Sequence, residues 1–150
     1  MFAKVARVAL SVAVLGVVGL SSGFVDSSPA SATTTPRLYV TPSQNLHNHE
    51  RVAVRGTGFT PGVTVYIVEC LRGAKGADQC DVLHAVPAKI TATGLLPKTN
   101  FEVATGKVGY GKRSRPCGTS SKNLTWCDIS AGTATGTETA VKPIAFKKLT

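Results

Sequence analysis

The chain predicts an all-β fold: a seven-stranded, immunoglobulin-like Greek-key sandwich with two disulfide-tied hairpins. Three observations predict it. Short runs alternate apolar and polar residues, and none shows a sustained 3.6-residue period. Gly- and Pro-containing turns separate these runs at regular intervals. Four cysteines fall in two pairs, Cys70 with Cys80 and Cys117 with Cys127, each pair ten residues apart. Many short strands joined by such turns build a sandwich rather than a helical bundle.

Taken in order, the chain opens on a processing signal. Lys4 and Arg7 precede an apolar run from Val8 to Leu20, and Ala30-Ser31-Ala32 fits a small-x-small cleavage site, so residues 1–32 are expected to be removed on export. The run is shorter than the roughly 20 apolar residues that span a bilayer, and the mature product is expected to be a soluble, extracellular monomer. Residues 33–36 end a Ser/Thr/Ala/Pro lead-in whose composition is that of disordered chain. The sandwich domain is then residues 37–150, a length that suits one domain with one core.

Within that domain the first strand is 38–40, closed by Thr41-Pro42-Ser43. Val52 and Val54 alternate with Ala53 and Arg55, which gives a second strand with one face to the core. Gly58-Phe59-Thr60-Pro61-Gly62 is a turn. The run 63–70 is apolar on both faces, so it is covered on both sides or lines a pocket. Further strands are expected at 81–85, 88–92, 101–105, 124–130 and 140–146.

Export to an oxidising compartment turns the four cysteines into two disulfides. Three pairings are open to four cysteines. The local one, Cys70–Cys80 and Cys117–Cys127, is favoured because each bond closes a short loop within a hairpin. No CxxC is present, and a zinc site is not expected.

The chain carries 17 Lys+Arg against 8 Asp+Glu, a formal charge of +9. Such an excess suits anionic partners, DNA or envelope polymers among them, with Lys107, Lys112, Arg113, Arg115 and Lys122 as the basic loop residues. Catalytic patterns are missing: no GxSxG, no HExxH and no phosphate-cradling glycine loop. His47 and His49 lie in a polar segment that reads as a loop, and His84 can pair with Asp81 but has no nucleophile beside it. Asn123-Leu124-Thr125 matches a glycosylation acceptor. A non-enzymatic binding protein without a metal is expected.

With the cysteines placed, the chain resembles the neocarzinostatin family. The residues that carry the resemblance are VTPS at 40–43, VAVRGTGFTPG at 52–62, and the apolar strand running into Cys70. The step to Cys80 and the late run CDISAGTATGTETAVKPIAF extend it. The resemblance implies a secreted bacterial apoprotein whose deep cleft holds a non-covalent enediyne chromophore, an antibiotic cargo whose target is DNA; no other cofactor is implied.

If Val65 and Ile67 face the core, Tyr66, Val68 and Cys70 face such a cleft. Ile129 in the core likewise turns Asp128 and Ser130 toward it. Arg72, Lys75 and Asp78 are placed on the rim, and Tyr110 and Trp126 are the candidates for a second wall. The chain departs from the family's pattern at Val68 and Ser130, where glycine is usual, and at the charged hairpin tip LRGAKGADQ. These departures, with the basic charge, point to a more polar ligand. The alternative is a basic extracellular interaction module that binds envelope polymers or DNA without a small-molecule cargo.

Overall fold

Val65 and Ile67 share one face of a strand rich in β-branched residues, and both are fully buried. The same alternation repeats along Val52 and Val54, Phe101 and Val103, and Ile129 and Ala131, so two sheets have four apolar faces to bury against each other. Each such side chain contributes roughly 1.5–3 kcal/mol on burial. An exposed ion pair gives ~0–1 kcal/mol, so packing, not surface charge, holds this fold.

The computed structural model describes residues 34–148; the export-signal reading of residues 1–32 lies outside them. Nine strands run β1 Arg37–Thr41, β2 Glu50–Thr57, β3 Thr64–Leu71, β4 Val86–Lys89, β5 Leu96–Val103, β6 Gly106–Val108, β7 Arg115–Cys117, β8 Cys127–Gly132 and β9 Thr139–Pro143. Every pairing between them is antiparallel. One sheet has three strands in the order β1-β2-β5, the other has four in the order β4-β3-β8-β9, and β6 and β7 form a separate ribbon. The sandwich itself is therefore seven strands with Greek-key crossovers. Among the described residues no helix is long and apolar enough to cross a membrane.

Both local disulfides form, Cys70–Cys80 and Cys117–Cys127. Gly62 in the turn before β3 adopts φ +76°, where a side chain would be strained. Thr34 is tied to that same turn, its hydroxyl donating to the Gly58 carbonyl at 3.3 Å, so the lead-in is anchored before β1 begins.

Several expected strands shift. Residues 81–85 form a 3-10 turn, Val82–His84, instead of a strand. The His84 ring reaches Asp81 Oδ2 at 2.7 Å, and this i,i+3 pair suits a turn. The strand expected at 88–92 is Val86–Lys89, because residues 91–94 close a turn in which Gly94 N–H donates to the Thr91 carbonyl. The strand expected at 101–105 begins five residues earlier, at Leu96, where pairing with β2 overrides the weak strand preference of Pro97-Lys98-Thr99-Asn100. Residues 124–126 precede β8 because Trp126 N–H donates to the Asn123 carbonyl in a turn. The last strand stops at Pro143, and Phe146 makes only an isolated bridge with Leu46.

Candidate functional site

The outer face of the four-stranded sheet carries the side chains that alternate with the core. Register sets them in rows: Tyr66 with Gly132 and Thr139, Val68 with Ser130 and Val141, Cys70 with Asp128. These residues floor a cleft of about 910 Å³. The hairpin closed by Cys70–Cys80 rises at one end, with Ala74, Lys75 and Ala77 toward the opening. At the other end stands the β8–β9 loop, with Thr133, Ala134 and Gly136. Val82 and Ala85, from the turn after Cys80, complete the lining.

The hairpin is fixed at its root as well as by sulfur. Asp128 has a side chain only 6% exposed. Its Oδ1 accepts from Arg72 Nε at 3.1 Å and its Oδ2 from the Gly73 N–H at 3.3 Å. Arg72 Nη2 also donates to the Ile144 carbonyl at 3.4 Å. The guanidinium is thus spent on the scaffold, and Arg72 does not line the cleft. The opposite bank is held more lightly. Glu138 Oε1 accepts the Thr60 N–H at 2.8 Å, linking the β8–β9 loop to the turn before β3. Within that loop the hydroxyls of Thr133, Thr135 and Thr137 lie 3.0–3.4 Å from one another.

Of the residues named from sequence, Tyr66, Val68, Asp128 and Ser130 come together in the cleft, as do Cys70 and Cys80. Asp78, Tyr110 and Trp126 do not. Asp78 pairs with Arg113 at 3.3 Å, and its carbonyl accepts the Tyr110 N–H at 2.9 Å, so this segment packs against the hairpin rather than across the cleft. Gly109 makes that approach close: a Cβ there would stand 2.6 Å from the Asp78 carbonyl oxygen. Trp126 sits in the turn before β8, where strand alternation does not reach. Its carbonyl accepts the Arg72 N–H at 2.7 Å, and the ring is 44% exposed. Val82, Val141, Thr133 and Thr139 were missed. Alternation along 140–146 could have found Val141; the Gly/Thr loop gave no periodic signal.

Beneath the floor lies Glu69, only 4% exposed. Its Oε2 accepts the Ala104 N–H at 3.0 Å, while Oε1 is buried without a partner among the described residues. Burial, reinforced by nearby Asp81 and only partly offset by the Ala104 bond, pushes its carboxyl up to about 7. A Glu69 carboxylate oxygen and the sulfurs of Cys117 and Cys127 lie within 4.8 Å of one another, yet both sulfurs are committed to a disulfide and offer no thiolate to a metal.

The basic loops are less available than their charge suggests. Arg113 is paired with Asp78, and Arg115 Nη1 donates to the Lys112 and Ser114 carbonyls. Lys107, Lys112 and Lys122 are exposed. Asn123, the predicted glycosylation acceptor, is 4% exposed. Its side chain accepts from the Ser120 N–H at 2.9 Å and donates to the Thr119 hydroxyl at 3.0 Å, so it is engaged in its own loop.

A two-layer antiparallel sandwich with a disulfide-clasped hairpin beside an open cleft defines an immunoglobulin-like binding scaffold. Comparison with known proteins narrows this. The profile of the Neocarzinostatin family matches residues 38–146, and the chain belongs to that family. It is 28% identical over 129 residues to macromomycin of Streptomyces macromomyceticus, covering 86% of this chain and 89% of that one. It is 27% identical over 118 residues to the antitumor antibiotic C-1027 apoprotein of Streptomyces globisporus, covering 78% and 81%. The solved structure of macromomycin superposes with a TM-score of 0.59 at 27% identity, over 75% of this chain and 99% of that one.

Proposed function

We propose that this protein is an exported, non-catalytic carrier that holds a small molecule in the cleft between the four-stranded sheet and the Cys70–Cys80 hairpin. The observation that carries the reading is the cleft itself. Its volume of about 910 Å³ falls within the roughly 300–1,000 Å³ typical of small-molecule sites. Its floor is apolar at Val68, Val141 and the disulfide, with Tyr66, Ser130 and Thr139 as polar groups that orient a ligand. Asp128 is already neutralised by Arg72, so these hydroxyls, with Lys75 at the opening, suit a cargo more polar than a bare polycyclic chromophore. Kinship to antibiotic apoproteins supports an antibiotic-type cargo, and DNA as the target of that cargo belongs to the same reading.

The test is native mass spectrometry of the protein purified from its own culture medium. A co-migrating small molecule is expected; clean apo spectra from repeated preparations would overturn the carrier reading. Val68→Gly probes the floor. Removing the branched side chain is expected to deepen the cleft and tighten uptake of flat aromatic probes, since overpacking costs typically ~1–3 kcal/mol. Equal affinity of wild type and variant, measured by fluorescence titration, would refute the steric role of Val68.

A further inference from the structure

A second concavity, of about 920 Å³, lies on the outer face of the three-stranded sheet. Its residues alternate with buried Leu38, Val40, Val52 and Val54, so they face away from the core. A bulge shapes it. Val54 pairs with Thr99 but Gly56 pairs with Leu96, so β5 supplies an additional residue opposite Arg55. A bulge bends its strand and increases the local twist, and Pro97 and Lys98 join the lining at this point. The floor is made of small residues, Thr41, Ala53 and Gly56, between Tyr39 on one side and Leu95 and Pro97 on the other.

The groove is cationic as well as ring-sized. Arg55 stands directly opposite Tyr39 across β1 and β2, and Arg37 lies two residues from Tyr39 on the same face. Tyr39 is 51% exposed. Arg37, Arg55 and Lys98 have no ion-pair partner among the described residues, whereas Arg72 and Arg113 do. No carboxylate lines the groove. Glu102, on the same sheet, is further along, opposite Arg51 and bonded to His49 at 2.8 Å. An exposed aromatic beside unpaired cations, on an open sheet, matches the way single strands are held: a base stacks on the ring and the phosphates lie on the cations.

We propose that this groove binds single-stranded nucleic acid without sequence preference, a base stacking on Tyr39 and the adjoining phosphates resting on Arg55 and Lys98. The site is separate from the cleft, so this binding stands or falls independently of the carrier function.

The experiment is fluorescence anisotropy of a labelled oligothymidylate of about 15 nucleotides, with inorganic polyphosphate as a base-free competitor, across a salt series. Binding should weaken steeply with salt, and Arg55→Ala/Lys98→Ala should reduce the log–log salt slope by about two. Tyr39→Leu should weaken the oligonucleotide about tenfold and leave polyphosphate competition unchanged. A loop variant that removes equal charge, Lys107→Ala/Lys122→Ala, should bind as wild type does. Uptake of an aromatic probe by the cleft confirms that each variant is folded. The proposal fails if wild type does not bind at low salt, or if the groove variants bind normally. It also fails if Tyr39→Leu weakens both anions alike, or if the loop variant is the one that loses binding.

Discussion

The two disulfides close loops of the same sequence separation, ten residues each, and do different work. Cys70–Cys80 clasps a surface hairpin and helps floor the cleft. Cys117–Cys127 joins the end of the β6–β7 ribbon to β8, with both residues fully buried in the core beside Glu69. Equal loops restrict the unfolded chain equally, by about 3 kcal/mol each on the chain-entropy account. Any difference in their worth must therefore arise in the folded state, from what each bond is packed against.

The largest expected effect follows from that. Cys117→Ala/Cys127→Ala should destabilise by roughly 3–5 kcal/mol, because a core void and a less shielded Glu69 add to the lost constraint. Cys70→Ala/Cys80→Ala should cost nearer 2–3 kcal/mol yet remove most uptake of cleft probes. Urea unfolding and probe titration on both variants test this; equal stability losses would erase the distinction between the two bonds.

Glu69 sharpens the core side of the comparison. Its carboxyl titrates at about 7 when folded, against a reference of 4.5. The folded state thus binds this proton more tightly than the unfolded one. The associated stability is fully present below pH 4.5 and is lost as pH rises through about 7, in total roughly 3 kcal/mol. Glu69→Gln keeps an acceptor for the Ala104 N–H and carries no charge. It should flatten this part of the pH profile and exceed wild type in stability at pH above about 7. A variant that tracks wild type across the whole range would show that the burial of Glu69 is not proton-linked.

Asp128 sharpens the cleft side, with the smallest change. Asp128→Asn keeps the shape but weakens the bonds to Arg72 and Gly73, at a cost of about 1–2 kcal/mol. Cleft-probe affinity should fall more than the unfolding midpoint does. A loss confined to stability would mean that the hairpin root does not position the cleft.

The sequence was most legible where structure is local. Alternation through Val65 and Ile67 places Tyr66 and Val68, and one buried residue, Ile129, places Asp128 and Ser130 on the same face. The ten-residue cysteine steps show both loops. Legibility fails where pairing is remote or periodicity stops. The ribbon of Gly106–Val108 with Arg115–Cys117 contains only three residues per strand, too few for a pattern. Tyr110 was expected on a cleft wall as a prominent aromatic, but a backbone bond to Asp78 decides its position. Trp126 lies one residue outside the strand that would have aimed it. The groove beside Tyr39 depends on a bulge at β5, a slip in partner register that neither strand announces alone.

The link from Glu138 to Thr60 means the cleft's two banks differ in stiffness. One is a covalent loop further anchored by Asp128; the other hangs from a single carboxylate contact to a turn 78 positions away in the chain. Guests of unequal girth would therefore be accommodated by the threonine-rich bank giving way, while the sulfur-bearing bank keeps its place as the fixed jaw.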